Sequence, residues 1–188
     1  MRLVLSVLIG LALSMSARPA FAGVKSFSVD LFGMKLNGAT ANAGSFGSGG
    51  VALPGGSQSD FSFGFVIPND YVANTPIKIR VSFHTASTGC NIALLPNFVD
   101  RTRVGHAPAT GSASGGLDPS NGSLLIAVPA VADEGARKAF QLTANQGFVD
   151  QLAGDAILLG FFRRPGSFGD TCPNDVKITG VDIRYETP

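Results

Sequence analysis

The chain has 188 residues, 24 of them glycine, and 14 % are charged, against about 25 % in ordinary soluble domains. That balance argues against a helical bundle or coiled coil, while 14 Phe and 45 % hydrophobic residues argue against intrinsic disorder. A formal charge of +1 argues against a polyanion binder that works by broad electrostatics.

Residues 1–22 read as a signal peptide. Arg2 precedes an apolar run over residues 3–13, and Ala20-Phe21-Ala22 supplies a small-x-small cleavage site. The run is shorter than the roughly 20 residues a bilayer requires, and Pro19 follows it. Cleavage after Ala22 leaves 166 residues, with 12 basic side chains against 13 acidic, a net charge of −1. The product is expected beyond the inner membrane, periplasmic or secreted, with no integral membrane segment. The site lacks the cysteine of a lipoprotein.

The remaining residues, 23–188, read as one all-β domain. Residues 26–36 alternate Phe27, Val29 and Leu31 before a break at Gly33. Phe61, Phe63 and Phe65 alternate with small residues up to Pro68. The clearest strand is 76–85, where Ile77, Ile79, Val81 and Phe83 alternate with Lys78, Arg80, Ser82 and His84. Residues 91–95 and 98–104 read as two short strands or one bent strand with Pro96 at the corner. Residues 124–128 form a continuous apolar strand, 138–144 a short one, and 156–162 a strand expected to be buried on both faces or central in its sheet. In the last segment the apolar phase slips at Gly180, which predicts a β-bulge. Single helical turns are expected at 133–137 and 148–152. Two tracts rich in Gly, Ala and Ser, 39–59 and 108–122, are expected as mobile loops at one end. Eight or nine short strands without long helices predict an antiparallel, jelly-roll-like β-sandwich, with a closed barrel as the second choice.

Cys90 and Cys172 are the two cysteines. An even count in an oxidising compartment predicts one disulfide, since neither lies in a C-x-x-C pair or beside a histidine.

The case for an enzyme is thin. His84 and His106 are the histidines, and no metalloprotease, nucleophile-elbow or phosphate-loop motif occurs. The default for Asp70, Asp118, Asp155, Asp170 and Asp175, each near Gly, Pro or Asn, is turn capping. Residues 118–122 imitate a calcium loop poorly, so no cofactor is expected beyond a marginal calcium site. Absent Trp and only two tyrosines weaken the lectin reading. Tyr71 reads as a packing corner and Tyr185 as core. The pair Arg163-Arg164 reads as a solvated strand end, with Asp170 a candidate partner.

Two blocks carry a resemblance. The first is residues 65–72, Phe-Val-Ile-Pro-Asn-Asp-Tyr-Val, followed by 76–81, Pro-Ile-Lys-Ile-Arg-Val. The second is Gly154-Asp155 before a strand ending at Arg163, then Asp170-Thr171, then residues 178–185. Together they resemble a loose group of uncharacterised bacterial secreted and phage-associated proteins with a jelly-roll-like sandwich. The resemblance implies a fold and carries no activity. In it Asp70, Tyr71, Asp155, Arg163 and Asp170 are structural turn and ion-pair residues. The cysteine pair and the glycine-rich tracts depart from the group.

The expected function is that of an exported, non-enzymatic structural or interaction domain of a surface, matrix or virion, acting through its loops or by self-association. A glycan-binding module, calcium-aided or not, is the alternative. A small secreted hydrolase using His84 or His106 with an Asp ranks third. No nucleic-acid partner is expected.

Overall fold

The computed structural model describes residues 23–30, 35–37, 51–106, 109–112, 117–119, 125–142 and 151–188. The expected signal peptide lies outside the described residues, as do most of both glycine-rich tracts and residues 148–150 of the second expected helical turn.

Twelve strands and no helix occur among the described residues. They are β1 (Gly23–Val29), β2 (Lys35–Asn37), β3 (Val51–Leu53), β4 (Ser59–Val66), β5 (Ile77–Thr85) and β6 (Asn91–Thr102). The others are β7 (Ala109–Ser112), β8 (Leu117–Pro119), β9 (Leu125–Ala127), β10 (Ala136–Leu142), β11 (Ala156–Arg163) and β12 (Val176–Thr187). All pairings are antiparallel. One sheet runs β1-β12-β5-β10-β8, with β3 also on β12. The other runs β2-β4-β11-β6-β7, with β9 also on β6. No ladder joins the two sheets among the described strands, so the fold is a sandwich and not a barrel.

Alternation builds the core. Ile77, Ile79, Val81 and Phe83 of β5 point inward with Val176, Ile178, Val181, Ile183 and Tyr185 of β12. Phe61, Phe63 and Phe65 of β4 and Ile157, Leu159 and Phe161 of β11 answer from the other sheet. Phe161 stacks on Phe61, with ring centroids 5.4 Å apart, and meets Phe140 of the facing sheet at 4.9 Å. Each buried Phe contributes about 1.5–3 kcal/mol relative to an exposed one. The bulge predicted at Gly180 is present: Ile178 pairs with Phe83 and Gly180 with Ser82, which makes Thr179 the extra residue. A second irregularity sits opposite Gly160 and Phe161, where Pro96 and Phe98 are the partners and Asn97 is extra. The bent-strand alternative for residues 91–104 is therefore the observed one.

Two expectations are corrected and two are sharpened. The strand count is higher than eight or nine, because β3, β7 and β8 fall inside tracts read as loops. Val51 and Leu53 are buried against β12; three residues are too few to display a period. Of the two alternatives for residues 156–162, the central place is the observed one: β11 lies in the middle of its sheet, with Ala156 and Leu158 exposed on its outer side. The apolar strand expected over 124–128 is present over Leu125–Ala127 as β9, which pairs with β6 and exposes Leu125. Residues 133–137 are not helical. Asp133 takes a positive φ of 61° and its amide donates to the Thr85 carbonyl, which turns the chain into β10.

Candidate functional site

The residues singled out from sequence fall into clusters at opposite ends of β11. At its far end the inward phase of Ile157, Leu159 and Phe161 continues to Arg163, which is fully buried. The reading of Arg163 as a solvated strand end is thereby corrected; Arg164, one residue on, is outside. Arg163 Nε donates to Asp170 Oδ2 at 2.9 Å and Nη2 to Asp170 Oδ1 at 3.2 Å. Nη2 also donates to the Cys172 carbonyl at 2.7 Å, and Nη1 to the carbonyls of Asn174 at 2.9 Å and Leu53 at 3.1 Å. The Asp170 carboxylate accepts in addition from the amides of Ala93 and Cys172. Every lobe of the pair is engaged, as a buried ion pair requires.

The disulfide closes the same region. Cys90 and Cys172 are bonded, with Cα atoms 5.2 Å apart. Thr171 N donates to the Asn91 carbonyl, and Asn91 N donates to Thr171 Oγ1. The β11–β12 loop is thus fastened to the start of β6 covalently and by the backbone.

At the near end of β11, two corners meet. Tyr71 is buried, its amide closes a turn on the Pro68 carbonyl, and its hydroxyl donates to the Thr75 carbonyl at 2.5 Å. Burial pushes the Tyr71 phenol pKa up. Asp70 beside it accepts from Lys25 Nζ at 2.5 Å and from the Tyr185 hydroxyl at 3.1 Å. The Lys25 hydrogen bond holds the Asp70 carboxyl below the usual range. Asp155 accepts the Leu152 amide, as a turn cap does, and also receives Arg103 Nε and Nη2 at 2.7 Å each. Burial pulls the Asp155 pKa up, but the Arg103 and Leu152 hydrogen bonds, with the charges of Arg103 and Arg101, hold it below 3.8. Gly154 N and Ile67 N exchange bonds with Ile67 O and Asp155 O, tying the two corners together.

Of the two histidines, His84 has a carboxylate partner. Its Nδ1 lies 3.2 Å from Asp133 Oδ1 at the rim of a depression of ≈ 410 Å³. Asn174, Asp175 and Lys177 complete that rim. An imidazole held by a carboxylate can relay a proton or activate a water. The lining hydroxyl belongs to Thr85, which is buried and accepts the Ser87 amide. His106 is exposed in the turn after β6, on the other sheet. No group of three His, Cys, Asp or Glu is placed to hold a metal ion among the described residues.

Three participants escaped the sequence reading. Arg103 and Asp133 lie in irregular segments, where spacing carries no signal. Lys138 sits in phase with Phe140 and Leu142 on the core side of β10, and burial lowers its pKa. That phase was visible, but a lysine in it does not announce which way it points.

The two outer faces differ in chemistry. On the β4–β11–β6 side, Gly64, Val66, Leu158, Asp100 and Thr102 surround a shallow depression of ≈ 510 Å³. Val66 is 59 % exposed and Leu158 40 %. On the β12–β5–β10 side, charged residues predominate. No protein-family model matches the sequence, and no curated protein matches it.

Proposed function

We propose that the chain is an exported, non-enzymatic interaction domain that works by presenting the two outer faces of a rigid sandwich, with self-association across the β4–β11 face. One observation carries this reading. The charged residues singled out from sequence are spent on structure: Arg163 on Asp170, Asp155 on Arg103, Asp70 on Lys25 and Tyr185. Exposed Val66 and Leu158 are left beside each other on a sheet face that gains by being covered. The disulfide supports export, because such bonds persist in oxidising compartments.

The strand order supports a jelly-roll reading. Taking the eight principal strands, β1, β12, β5 and β10 share one sheet and β4, β11, β6 and β7 the other. Successive strands then cross between sheets, except at the β6–β7 hairpin, in the two-Greek-key pattern of that fold.

Light scattering on size-fractionated protein tests the assignment. The parent chain should form a discrete oligomer that Val66→Asp with Leu158→Asp converts to monomer without lowering the melting temperature. A parent that is strictly monomeric up to its solubility limit overturns it. A glycan-binding module is the second reading, favoured by the cationic side chains on the β12–β5–β10 face.

A further inference from the structure

Alternation turns Lys78, Arg80, Ser82 and His84 of β5 outward, because Ile77, Ile79, Val81 and Phe83 fill the core. On β12, Lys177 and Thr179 face out before the bulge, and Asp182, Arg184 and Glu186 after it. Arg137, Ala139 and Gln141 do the same on β10. Register sets Arg184 opposite Lys78, Asp182 opposite Arg80, Lys177 opposite His84 and Arg137 opposite Ser82. Five cations therefore share three adjacent strands with two carboxylates, Asp182 and Glu186.

Asp182 opposite Arg80 stabilises the sheet, but another pair opposes folding. Like charges directly opposite on neighbouring strands destabilise a sheet, and Arg184 and Lys78 are such a pair. Burial, then the charges of Arg184 and Arg137, push the Arg80 pKa down against the pull of Asp182. Asp182 itself accepts a hydrogen bond from Ser28 Oγ at 2.7 Å. The ion pairs of Lys25, His84, Arg103 and Arg163 include none of the five. A chain that is near neutral as a whole has gathered repelling cations on one face, which an anion would relieve.

We propose that the β12–β5–β10 face binds an anionic polysaccharide laid across the three strands. The inference deepens the interaction-domain reading by naming a surface and a ligand class. Guanidinium forks take carboxylate or sulfate groups bidentately. Strands about 4.8 Å apart, with outward residues about 6.8 Å apart along each, present the cations as a lattice for a polymer with repeated charges. Ser82, Thr179 and Gln141 stand among them with groups that match sugar hydroxyls. Apart from the His84 imidazole, which lies beside Asp133, the outward residues of these strands include no aromatic ring to stack a nucleobase and no large apolar side chain to enter a bilayer.

The test is titration of the purified protein with polygalacturonate, with dextran as the uncharged control, at about 50 and 200 mM salt. Binding to polygalacturonate and not to dextran is expected, weakening as salt rises. Arg80→Gln with Arg184→Gln should cut affinity at least about tenfold and reduce the salt slope by about 2. The charge-matched pair Lys35→Gln with Arg164→Gln should bind as the parent does. Should the first double variant fail to fold, the parent's melting temperature decides, since polygalacturonate should raise it and dextran should not. No binding by the parent, equal binding by a folded Arg80 and Arg184 variant, or tighter binding to phosphatidylglycerol vesicles or to single-stranded DNA overturns the proposal. Light scattering on the same samples reads self-association separately, so failure here leaves that reading standing.

Discussion

Arg163 and Asp170, seven positions apart in sequence, form a fully buried ion pair that reaches three separated stretches of backbone, at Leu53, at Ala93 and at Cys172 with Asn174. Breaking a buried pair from one side costs about 3–5 kcal/mol, because the other charge is left without a partner. Asp170→Ala should therefore lower the unfolding free energy by about that amount in urea titrations, with polygalacturonate affinity unchanged under native conditions. A variant with the parental melting temperature and lost binding would place Asp170 in a binding site instead.

The disulfide closes a separation of 82 residues, for which the chain-entropy estimate is about 4.5 kcal/mol. Cys90→Ala with Cys172→Ala should cost about 2–4 kcal/mol, and adding reductant to the parent should reproduce the loss. Equal denaturant midpoints with and without reductant would contradict this.

Asp155 should shape the acid limb of stability. Its folded pKa lies below the ordinary 3.8. The stabilisation it supplies is therefore complete above that ordinary value and is lost as pH falls through the lowered one. Asp155→Asn should lower the melting temperature at neutral pH, by about 2–3 kcal/mol in stability, and make the decline below pH 4 shallower than in the parent, from about pH 4 to pH 2. Thermal melts across that range check it; parallel parent and variant curves would refute it.

Gly55 and Gly56 are adjacent, yet only one is confined. A Cβ on Gly55 would lie 2.0 Å from the Pro173 carbonyl oxygen, while one on Gly56 would meet nothing within 4 Å. Gly55 N also donates to Asp175 Oδ1 at 3.0 Å. Gly55→Ala should destabilise by about 1–3 kcal/mol, and Gly56→Ala should stay within about 0.5 kcal/mol of the parent. Similar melting temperatures for the two variants would count against the close approach.

Strands with a two-residue period were legible from sequence, because one face of each is committed to the core. β5, β4 and most of β12 were read that way, including the bulge at Gly180. β3, β7 and β8 were not, since three or four residues within glycine-rich tracts show no alternation. The apolar run of β11 leaves two alternatives, burial on both faces or a central place, and the second is observed, because the outer side is uncovered at Ala156 and Leu158. The disulfide followed from cysteine count and compartment. The Arg103 and Asp133 partnerships did not, because loops bring them to Asp155 and His84 from 52 and 49 positions away. The cationic face needed register as well as sequence. Lys78, Arg137 and Arg184 are far apart in the chain, and whole-chain charge averages them away.

The place of β12 in its sheet bears on the order in which the molecule can be completed. It lies between β1 and β5, so the N-terminal strand of the domain has no neighbour in that sheet until residues 176–187 have emerged. A chain without residues 170–187 would lack this central member, and Arg163 would lack the acceptors at Asp170, Cys172 and Asn174. One stretch of sequence thus completes both the β1–β12–β5 sheet and the buried ion pair of the other sheet, which couples the closing of the two layers.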